Sequence, residues 1–403
     1  MRIFILAGEP SGDRLGAAAM AGLRELRPDV TFDGIGGHAM TAAGLESRFP
    51  MSELSVMGLA EVLPRYFGLK RRLNEVIRRV IETRPDILLT IDIPDFGLRA
   101  ARAVKQAAPE IRCVHYVAPT IWAWRPGRAL KLKGVVDQLL ALFPFEPPLW
   151  EAEGVPCDFV GHPVVAEPPA TEAEARLFRT AHGIGDAPMV LALPGSRRGE
   201  VERLTVRFGE AIAQVAARRS GLRVVLPAAR PVADLVRDLS GSWPVKPILL
   251  VPGEDPESQA TKRAAFRAAD VALAASGTVS LELSAAGTPM VIAYDMAWLS
   301  WQVLHRIVRL DTVTLVNIVS ESRTVPEFLG PACRPDLIAE GLLRVLAHPE
   351  AQQHAMRLTM ERLGQGGPAP GLRAAEAILA GWEVDQAARR IQPPPSTRVP
   401  SGA

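Results

Sequence analysis

Residues 86–104 read DILLTIDIPDFGLRAARAV. The apolar run at the start of this stretch predicts a strand that is buried on both faces, and the spacing of apolar residues after Pro94 predicts a helix. Pro94 separates the two patterns because it cannot continue the hydrogen bonding of a strand ladder. A strand that passes through a short turn into a helix is the repeating unit of parallel α/β sheets.

The same unit recurs in two series, which the proline-rich stretch 162–171 separates. The predicted strands of the first series are 2–7, 31–35, 86–92, 112–118, 138–142 and 157–160. The predicted helices between them begin near Ser11, Phe67, Asp95 and Arg128. The predicted strands of the second series are 189–193, 222–227, 248–251, 270–276 and 289–294. Two α/β domains with open parallel sheets follow from this pattern, and such sheets bind ligands at their strand ends.

The series also set the predicted domain boundaries. We expect one Rossmann-like domain at 1–165 and a second at 172–345. Residues 346–391 show helical patterns only, so they are predicted to form C-terminal helices. Residues 392–403 are rich in Pro and Ser, which predicts a disordered tail.

The composition excludes several classes of protein. Of 403 residues, 48% are apolar and 22% are charged, so the chain is not mainly disordered. The formal net charge is +2, which argues against a nucleic-acid partner. The three cysteines form no CxxC pair and the histidines show no metal-ligand spacing, so we expect neither a disulfide framework nor a metal. With no secretory signal and no long apolar window, the sequence predicts a cytoplasmic chain.

The second predicted domain contains two turns with features of an anion site. The strand at 189–193 runs into a turn that carries Arg197 at the start of a helix. Free amides at a helix start and a planar guanidinium both suit a phosphate group. The alternative is an ordinary surface turn with a solvated arginine.

The other turn reads Ser276-Gly277-Thr278, again between a strand and a helix. Glu282 lies one helical turn beyond Thr278 on the same face, where its carboxylate could accept hydrogen bonds from two sugar hydroxyls. The alternative is a capped helix with Glu282 in solvent. Two such turns in one domain predict a nucleoside diphosphate as ligand, and neither turn matches the GxGxxG or Walker pattern.

In the first predicted domain, acidic residues follow two strands. Asp92 ends the strand within 86–104 and has no evident structural task, so it is the candidate general base, although a structural role is the alternative. Asp95 is interpreted as a helix N-cap. Glu9 and Asp13 flank the turn after the first strand, where they could hold sugar hydroxyls or orient a carboxylate.

Residues 51–80 combine apolar and basic side chains. Between 65 and 79 there are six basic residues and one acid, Glu75. Such a surface suits an anionic membrane, and a solvated face of an amphipathic helix is the alternative. The residues proposed for the membrane interface are Val62, Leu63, Tyr66, Leu69, Arg71 and Arg72.

Taken together, the motifs resemble those of the lipid A disaccharide synthases. The motifs span about residues 5–330 in family order, and the most specific is HYVAPTIWAWR. They are AGEPSGD (7–13), SVMGLAEVL (55–63), IDIPDF (91–96), HYVAPTIWAWRPGR (115–128), FPFEPP (143–148), GHP (161–163), LPGSRRGEV (193–201) and ASGTVSLE (275–282).

The resemblance implies a GT-B fold, in which two Rossmann-like domains with parallel sheets face a central cleft. It implies an inverting glycosyltransferase with no cofactor, since the UDP-sugar is the donor substrate. The donor would be UDP-2,3-diacylglucosamine and the acceptor 2,3-diacylglucosamine 1-phosphate, joined as the disaccharide precursor of lipid A. The resemblance also implies peripheral association with the inner membrane through its anionic surface, and a possible homodimer.

The resemblance also assigns roles to individual residues. Asp92 falls on the base that acts on the acceptor 6-hydroxyl, and Glu9 on the acid of the first loop. The residues that fall on the UDP-binding motifs are Arg197, Ser276, Gly277, Thr278 and Glu282. Asn317 falls on an active-site asparagine, in a segment where Val316 stands at a frequent proline position and residues 320–322 replace an Ala-Gly-like turn.

Two other functions fit parts of the sequence. A UDP-N-acetylglucosamine 2-epimerase would bind UDP in the same kind of domain but would not need the apolar and basic surface. A non-catalytic membrane-surface sensor of a nucleotide sugar would need that surface but not the base.

Overall fold

A computed structural model describes residues 1–54, 59–122, 129–253, 255–296, 302 and 311–391, with the backbone alone at 59–65 and 391. These residues form two units, each built around six parallel strands. Among the described residues, the first unit contains those within 1–163 and 368–391, and the second contains those within 164–367. The α/β class with two parallel sheets is therefore confirmed.

The first sheet has the strand order β2-β1-β3-β4-β5-β6. Its strands are β1 (Arg2–Ala7), β2 (Thr31–Ile35), β3 (Ile87–Ile91), β4 (Arg112–Tyr116), β5 (Gln138–Ala141) and β6 (Cys157–Phe159). Its helices are α1 (Pro10–Leu26), α2 (His38–Ala42), α3 (Leu59–Thr83), α4 (Pro94–Ala107), α5 (Ala129–Leu132) and α6 (Glu146–Ala152). The strands lie close to their predicted positions.

Helices cover both faces of this sheet because successive side chains of a strand point to opposite faces. Phe4 and Leu6 of β1 belong to the core formed with α3 and α4. Ile3 and Ile5 belong to the opposite core, which α1 and the last helix of the chain complete. All four side chains are at most 1% exposed, as expected for a strand buried on both faces.

The second sheet has the strand order β12-β11-β10-β7-β8-β9. Its strands are β7 (Met189–Leu193), β8 (Arg223–Pro227), β9 (Ile248–Leu250), β10 (Val271–Ala275), β11 (Met290–Tyr294) and β12 (Glu327–Leu329). Its helices are α7 (Glu172–Ala181), α8 (Arg198–Arg218), α9 (Ala233–Ser240), α10 (Pro256–Ala268), α11 (Val279–Ala286), α12 (Leu315–Ser320), α13 (Pro335–Ala347) and α14 (Glu350–Arg362). One core lies against α8, α9 and α13, and the other lies against α7, α10, α11 and α14.

The C-terminal helices divide between the two units, whereas the sequence predicted 346–391 as a group of its own. Helix α14 packs on the second sheet, and α15 (Pro370–Ile391) returns to the first. Polar contacts hold α15 there, since Arg112 of β4 pairs with Asp385 and the Gln138 amide donates to the Ala377 carbonyl at 2.9 Å. Hydrophobic periodicity alone did not reveal this return, because it shows that a helix is amphipathic but not which sheet it covers.

The sequence and the structure also differ at a helix and at a strand, and one prediction falls outside the described residues. The helix expected near Phe67 begins earlier, at Leu59. Pro64 and Gly68 lie inside this helix, although both residue types disfavour a helix interior. The three-residue strand β12 was not predicted. The tail at 392–403 lies outside the described residues. None of the described helices combines enough length with enough apolarity to cross a membrane.

The contact between α1 and α15 generates a stability prediction. A Cβ atom at Gly22 would lie 2.7 Å from the Gly371 carbonyl oxygen, whereas nothing lies within 4 Å of one at Gly68. Both glycines are in helices, so Gly22→Ala should lower the free energy of unfolding of the first unit by about 1–3 kcal/mol through overpacking. Gly68→Ala should raise it by up to about 1 kcal/mol. Denaturant unfolding followed by circular dichroism measures both, and equal effects would contradict the close packing.

Candidate active site

In each sheet the chain reverses the direction in which strands are added, and this creates a crevice at the carboxyl ends. In the first sheet the reversal lies between β1 and β3, which pair although β2 separates them in sequence. In the second sheet it lies between β7 and β10. Open parallel sheets bind ligands at such points because the loops leave in opposite directions there. The turns after these four strands carry most of the predicted site residues.

Asp92 and Ser11 meet at the reversal point of the first sheet. Ser11 lies in the first turn of α1, directly after β1, and its hydroxyl donates to the Asp92 carboxylate at 2.6 Å. Pairing of Ala7 with Ile91 brings the two turns together. The predicted base therefore lies at the ligand edge of its sheet, half-buried beside a hydroxyl that the sequence analysis did not assign to it.

The backbone of Asp92 is held in an unusual conformation. Its φ is +48°, in the left-handed region that non-glycine residues rarely occupy. The Asp92 amide donates to the Tyr116 carbonyl at 3.1 Å, which ties the turn to the end of β4. Burial raises the pKa of the Asp92 carboxyl, and the hydrogen bond from Ser11 partly opposes this shift. A fixed carboxylate with increased proton affinity suits a general base.

The other two acids near β1 differ from each other. Asp13 is buried and accepts hydrogen bonds from the amides of Gly37, Ala39 and Met40, at 2.7, 2.8 and 3.1 Å. Its carboxylate thus holds the glycine-rich loop, residues 34–40, which reads GIGGHAM. Glu9 occupies the N-cap position of α1 and is half-buried at the ligand edge.

Asp95, which was interpreted as an N-cap, lies inside the first turn of α4. The N-cap residue is Ile93, and no side chain caps this helix. Asp95 is exposed, so it contributes through the helix dipole and not through a capping hydrogen bond.

At the reversal point of the second sheet, Arg197 is the N-cap residue of α8 and its side chain is 71% exposed. The Glu200 carboxylate accepts weak hydrogen bonds from the amides of Ser196 and Arg197, at 3.3 and 3.4 Å. It also pairs with the Arg197 guanidinium at 3.0 Å. The amides that the sequence predicted for a phosphate therefore already face an internal carboxylate.

The turn after β10 provides the other half of this edge. Ser276 is half-buried, and Gly277 and Thr278 are exposed immediately before α11. Glu282 forms an ion pair with Lys262 of α10. Glu282 is 43% exposed and is therefore accessible, but it is not a solvated carboxylate without a partner.

Asn317 has a structural environment. It is 1% exposed, and its amide group donates to Thr312 at 3.1 Å and to the Val325 carbonyl at 2.9 Å. Its carbonyl oxygen accepts from the Val325 amide at 3.0 Å. The side chain closes the loop between α12 and β12.

The surface of α3 differs from the predicted membrane interface. Arg72 donates to Glu53 and Glu75 and lies over the Phe49 ring, so its charge is neutralised inside the unit. Leu69 packs against the core. Arg71 is exposed, and no ion pair forms at it within the described part of the chain. Tyr66 and Phe67 are 46% and 82% exposed, while the Val62 and Leu63 side chains lie outside the described residues.

Sequence reasoning missed the partners of the predicted residues. Ser11, Glu200 and Lys262 contact site residues, and Glu146 is a buried carboxylate at the ligand edge of the first sheet. Glu200 follows Arg197 by three residues, a spacing that signals a capping contact. The other contacts join residues far apart in sequence. Among the described residues, no group of three or more His, Cys, Asp or Glu side chains is placed to hold a metal.

Two six-stranded parallel sheets with flanking helices, each with polar residues at its reversal point, define the two-domain fold of the GT-B type. A staphylococcal MnaA–UDP co-structure aligns with a TM-score of 0.62 at 12% identity, over 98% of this chain and 99% of that one. The UDP-N-acetylglucosamine 2-epimerase of Neisseria meningitidis bound to UDP-GlcNAc aligns with a TM-score of 0.60 at 15% identity, over 94% and 99%. Such low identities establish the fold alone.

The particular family is shown by sequence. Residues 3–368 match the model of the family described as lipid-A-disaccharide synthetase. The lipid-A-disaccharide synthase of Ruegeria pomeroyi is 62% identical over 94% of this chain and 95% of its own length. That of Rhodospirillum centenum is 46% identical over 94% of both. The chain belongs to this family and is a hexosyltransferase of lipid A biosynthesis; the epimerase alternative loses its support.

The Ser11–Asp92 contact generates a prediction on pH dependence. The hydrogen bond favours the ionised carboxylate, so Ser11→Ala should raise the pKa of Asp92. A base must be ionised to accept a proton, so the acidic limb of the kcat/KM profile should move to higher pH, by about one unit. Steady-state rates between pH 4 and 9 measure the shift. Ser242→Ala, an exposed serine of the second unit, is the control, and an unmoved limb would exclude Asp92 as the group that titrates.

Proposed function

We propose that this chain transfers 2,3-diacylglucosamine from UDP-2,3-diacylglucosamine to the 6-hydroxyl of 2,3-diacylglucosamine 1-phosphate, with inversion and release of UDP. Family membership supports the reaction class. The assignment of Asp92 as the base rests on its environment. The side chain is half-buried, accepts a hydrogen bond from Ser11 and lies at the reversal point of the first sheet.

In this proposal Asp92 accepts the proton of the acceptor hydroxyl. The hydroxyl oxygen forms the new bond to the anomeric carbon as the bond from that carbon to the diphosphate oxygen breaks, and the electron pair leaves with UDP. One direct displacement inverts the anomeric centre, so no covalent enzyme intermediate is needed. A positioned base typically contributes a factor of about 10²–10⁴ to such a step.

The proposal places the departing diphosphate at the reversal point of the second sheet. Negative charge grows on the diphosphate during the step, and the Arg197 guanidinium and the amides at the start of α8 are donors of the kind that stabilise it. Glu200 would have to give up the Ser196 and Arg197 amides, and its hydrogen bonds to them are long, so the exchange costs little. Glu282 would accept from the ribose hydroxyls, while Ser276, Gly277 and Thr278 line the same edge.

Glu9 and Asn317 enter the proposal differently. Glu9, half-buried at the turn after β1, remains the proposed second carboxylate on the acceptor side. Asn317 is proposed to act only by shaping its loop, because its amide is fully used inside that loop.

The base assignment predicts a specific loss. Asp92→Asn should lower kcat by about 10²–10⁴-fold and leave UDP affinity within a factor of two, because it removes the proton acceptor and not the nucleotide contacts. Mass spectrometry of the disaccharide measures turnover, and calorimetry measures UDP binding. Asp95→Asn is the matched control, as an exposed acid three residues away. If Asp95→Asn lowers kcat and Asp92→Asn does not, the assignment of Asp92 as the base is wrong. If the parent protein shows no turnover, the non-catalytic sensor is favoured.

We further propose that the enzyme docks on the anionic surface of the inner membrane, facing the cytoplasm. Both substrates carry acyl chains that remain in a bilayer. The structure reduces the electrostatic part of this proposal, because Arg72 and Arg79 are paired with acids inside the unit. Lys70 and Arg71 are exposed beside Phe67. At about 1 kcal/mol per basic residue, these two supply about 2 kcal/mol, and Phe67 adds apolar contact.

Vesicle flotation tests the docking surface. The triple variant Phe67→Ser, Lys70→Gln, Arg71→Gln should bind vesicles of anionic phospholipid at least tenfold more weakly, because it removes the exposed ring and two exposed charges. Arg176→Gln, an exposed arginine of the second unit, is the control and should float like the parent. Undiminished flotation of the triple variant would place the docking surface elsewhere.

A homodimer also remains a proposal, which analytical ultracentrifugation decides.

A further inference from the structure

Glu146 is a buried carboxylate that the proposed reaction does not use. It is 2% exposed, at the start of α6 and beyond the carboxyl end of β5. It accepts hydrogen bonds from the Trp122 indole at 3.1 Å and from the Phe143 amide at 3.2 Å. Burial raises its pKa to about 7, since these bonds and others from the main chain only partly oppose the shift. Burying a carboxylate is costly, so packing alone does not explain this residue.

The Trp122 bond fixes the far end of the segment that follows β4. The near end is fixed at β5, where the amides of Val117 and Ala118 both donate to the Leu140 carbonyl, at 3.0 and 3.1 Å. Between these two attachments the segment runs along the ligand edge of the first sheet. Ala118 and Ile121, which lie between the two attachments, are 5% and 8% exposed and belong to the core of this unit. The Glu146 carboxylate is thus the polar anchor at the far end of this stretch.

Strain in the segment makes the anchors necessary. Val117 has a φ of +76°, a left-handed conformation that is a genuine outlier for a β-branched residue. Such a conformation is strained and persists only where its surroundings determine it. Relaxation of Val117 would move its neighbour Tyr116, whose carbonyl accepts the Asp92 amide. A main-chain path therefore runs from Val117 through Tyr116 to the Asp92 amide.

We propose that Glu146 is a positioning residue of the transfer reaction, which holds Trp122 so that the segment 117–122 keeps Asp92 in its left-handed turn. This inference rests on the proposed role of Asp92. In this proposal Glu146 touches no substrate. Replacing Glu146 therefore changes kcat but not the affinity for the nucleotide. A purely structural Glu146 would instead set only the stability of the first unit.

Substitutions at both ends of the bond test the proposal. Glu146→Met keeps the side-chain volume but removes the acceptor, and Trp122→Phe removes the donor. Each should lower kcat about 10–100-fold with UDP affinity unchanged, and the double variant should lose no more than either single one, because both break one link. Glu146→Gln retains a carbonyl oxygen for the indole and should stay within about fivefold of the parent. Glu151→Gln, an exposed acid of α6, is the control.

The outcomes separate the two proposals. Losses in kcat that multiply in the double variant, or a Glu146→Met enzyme as fast as the parent, would overturn the positioning role while leaving Asp92 as base. A parent protein that forms no disaccharide would overturn the proposed function itself. The Trp122 indole N–H signal in NMR spectra gives an activity-independent measure, and it should shift in Glu146→Met but not in Glu151→Gln. If Glu146→Met does not fold, Trp122→Phe and the Gln variant decide the question.

Discussion

A hydrogen bond between two main-chain groups, from the Asp92 amide to the Tyr116 carbonyl, holds the turn after β3 in a left-handed conformation. The proposed chemistry depends on this constraint, because it aims the Asp92 carboxylate at the edge where ligands of a parallel sheet bind. The Ser11 hydroxyl then orients the carboxylate, and burial raises its proton affinity. Three independent parts of the first sheet thus converge on one side chain: the start of α1, the end of β3 and the end of β4.

Many polar groups near the predicted sites have partners within the protein. Glu200 faces the amides before α8, Lys262 pairs with Glu282, and Asp13 holds the glycine-rich loop. These contacts give the amides, the Lys262 ammonium group and the carboxylates hydrogen-bonding or ionic partners within the protein. Substrate binding must then exchange one partner for another. The bonds from the Ser196 and Arg197 amides to Glu200 are long and exchange at little cost, whereas Asp13 is 5% exposed and its bonds from three amides are 2.7–3.1 Å long.

The sequence predicted most of the fold because strands that are buried on both faces leave long apolar runs, and strand–turn–helix units have one common topology. It identified Asp92 because a carboxylate directly after such a run lies at the ligand edge. It could not supply partners such as Ser11 and Lys262, which meet their carboxylates only after distant segments pack together. For Asn317 the family position suggests a substrate contact, and the sequence could not show that the side chain is buried with three hydrogen bonds inside its own loop.

The return of α15 to the first unit has a consequence for biosynthesis. The ribosome completes β1 to β6 long before it makes the helix that covers Ile3 and Ile5. At roughly 5–20 residues per second, the intervening second unit takes about 10–40 s to emerge. During that interval one apolar face of the finished sheet lacks part of its cover, and transiently exposed apolar surface of this kind favours aggregation. The last helix to be synthesised is therefore the one that ends this exposure.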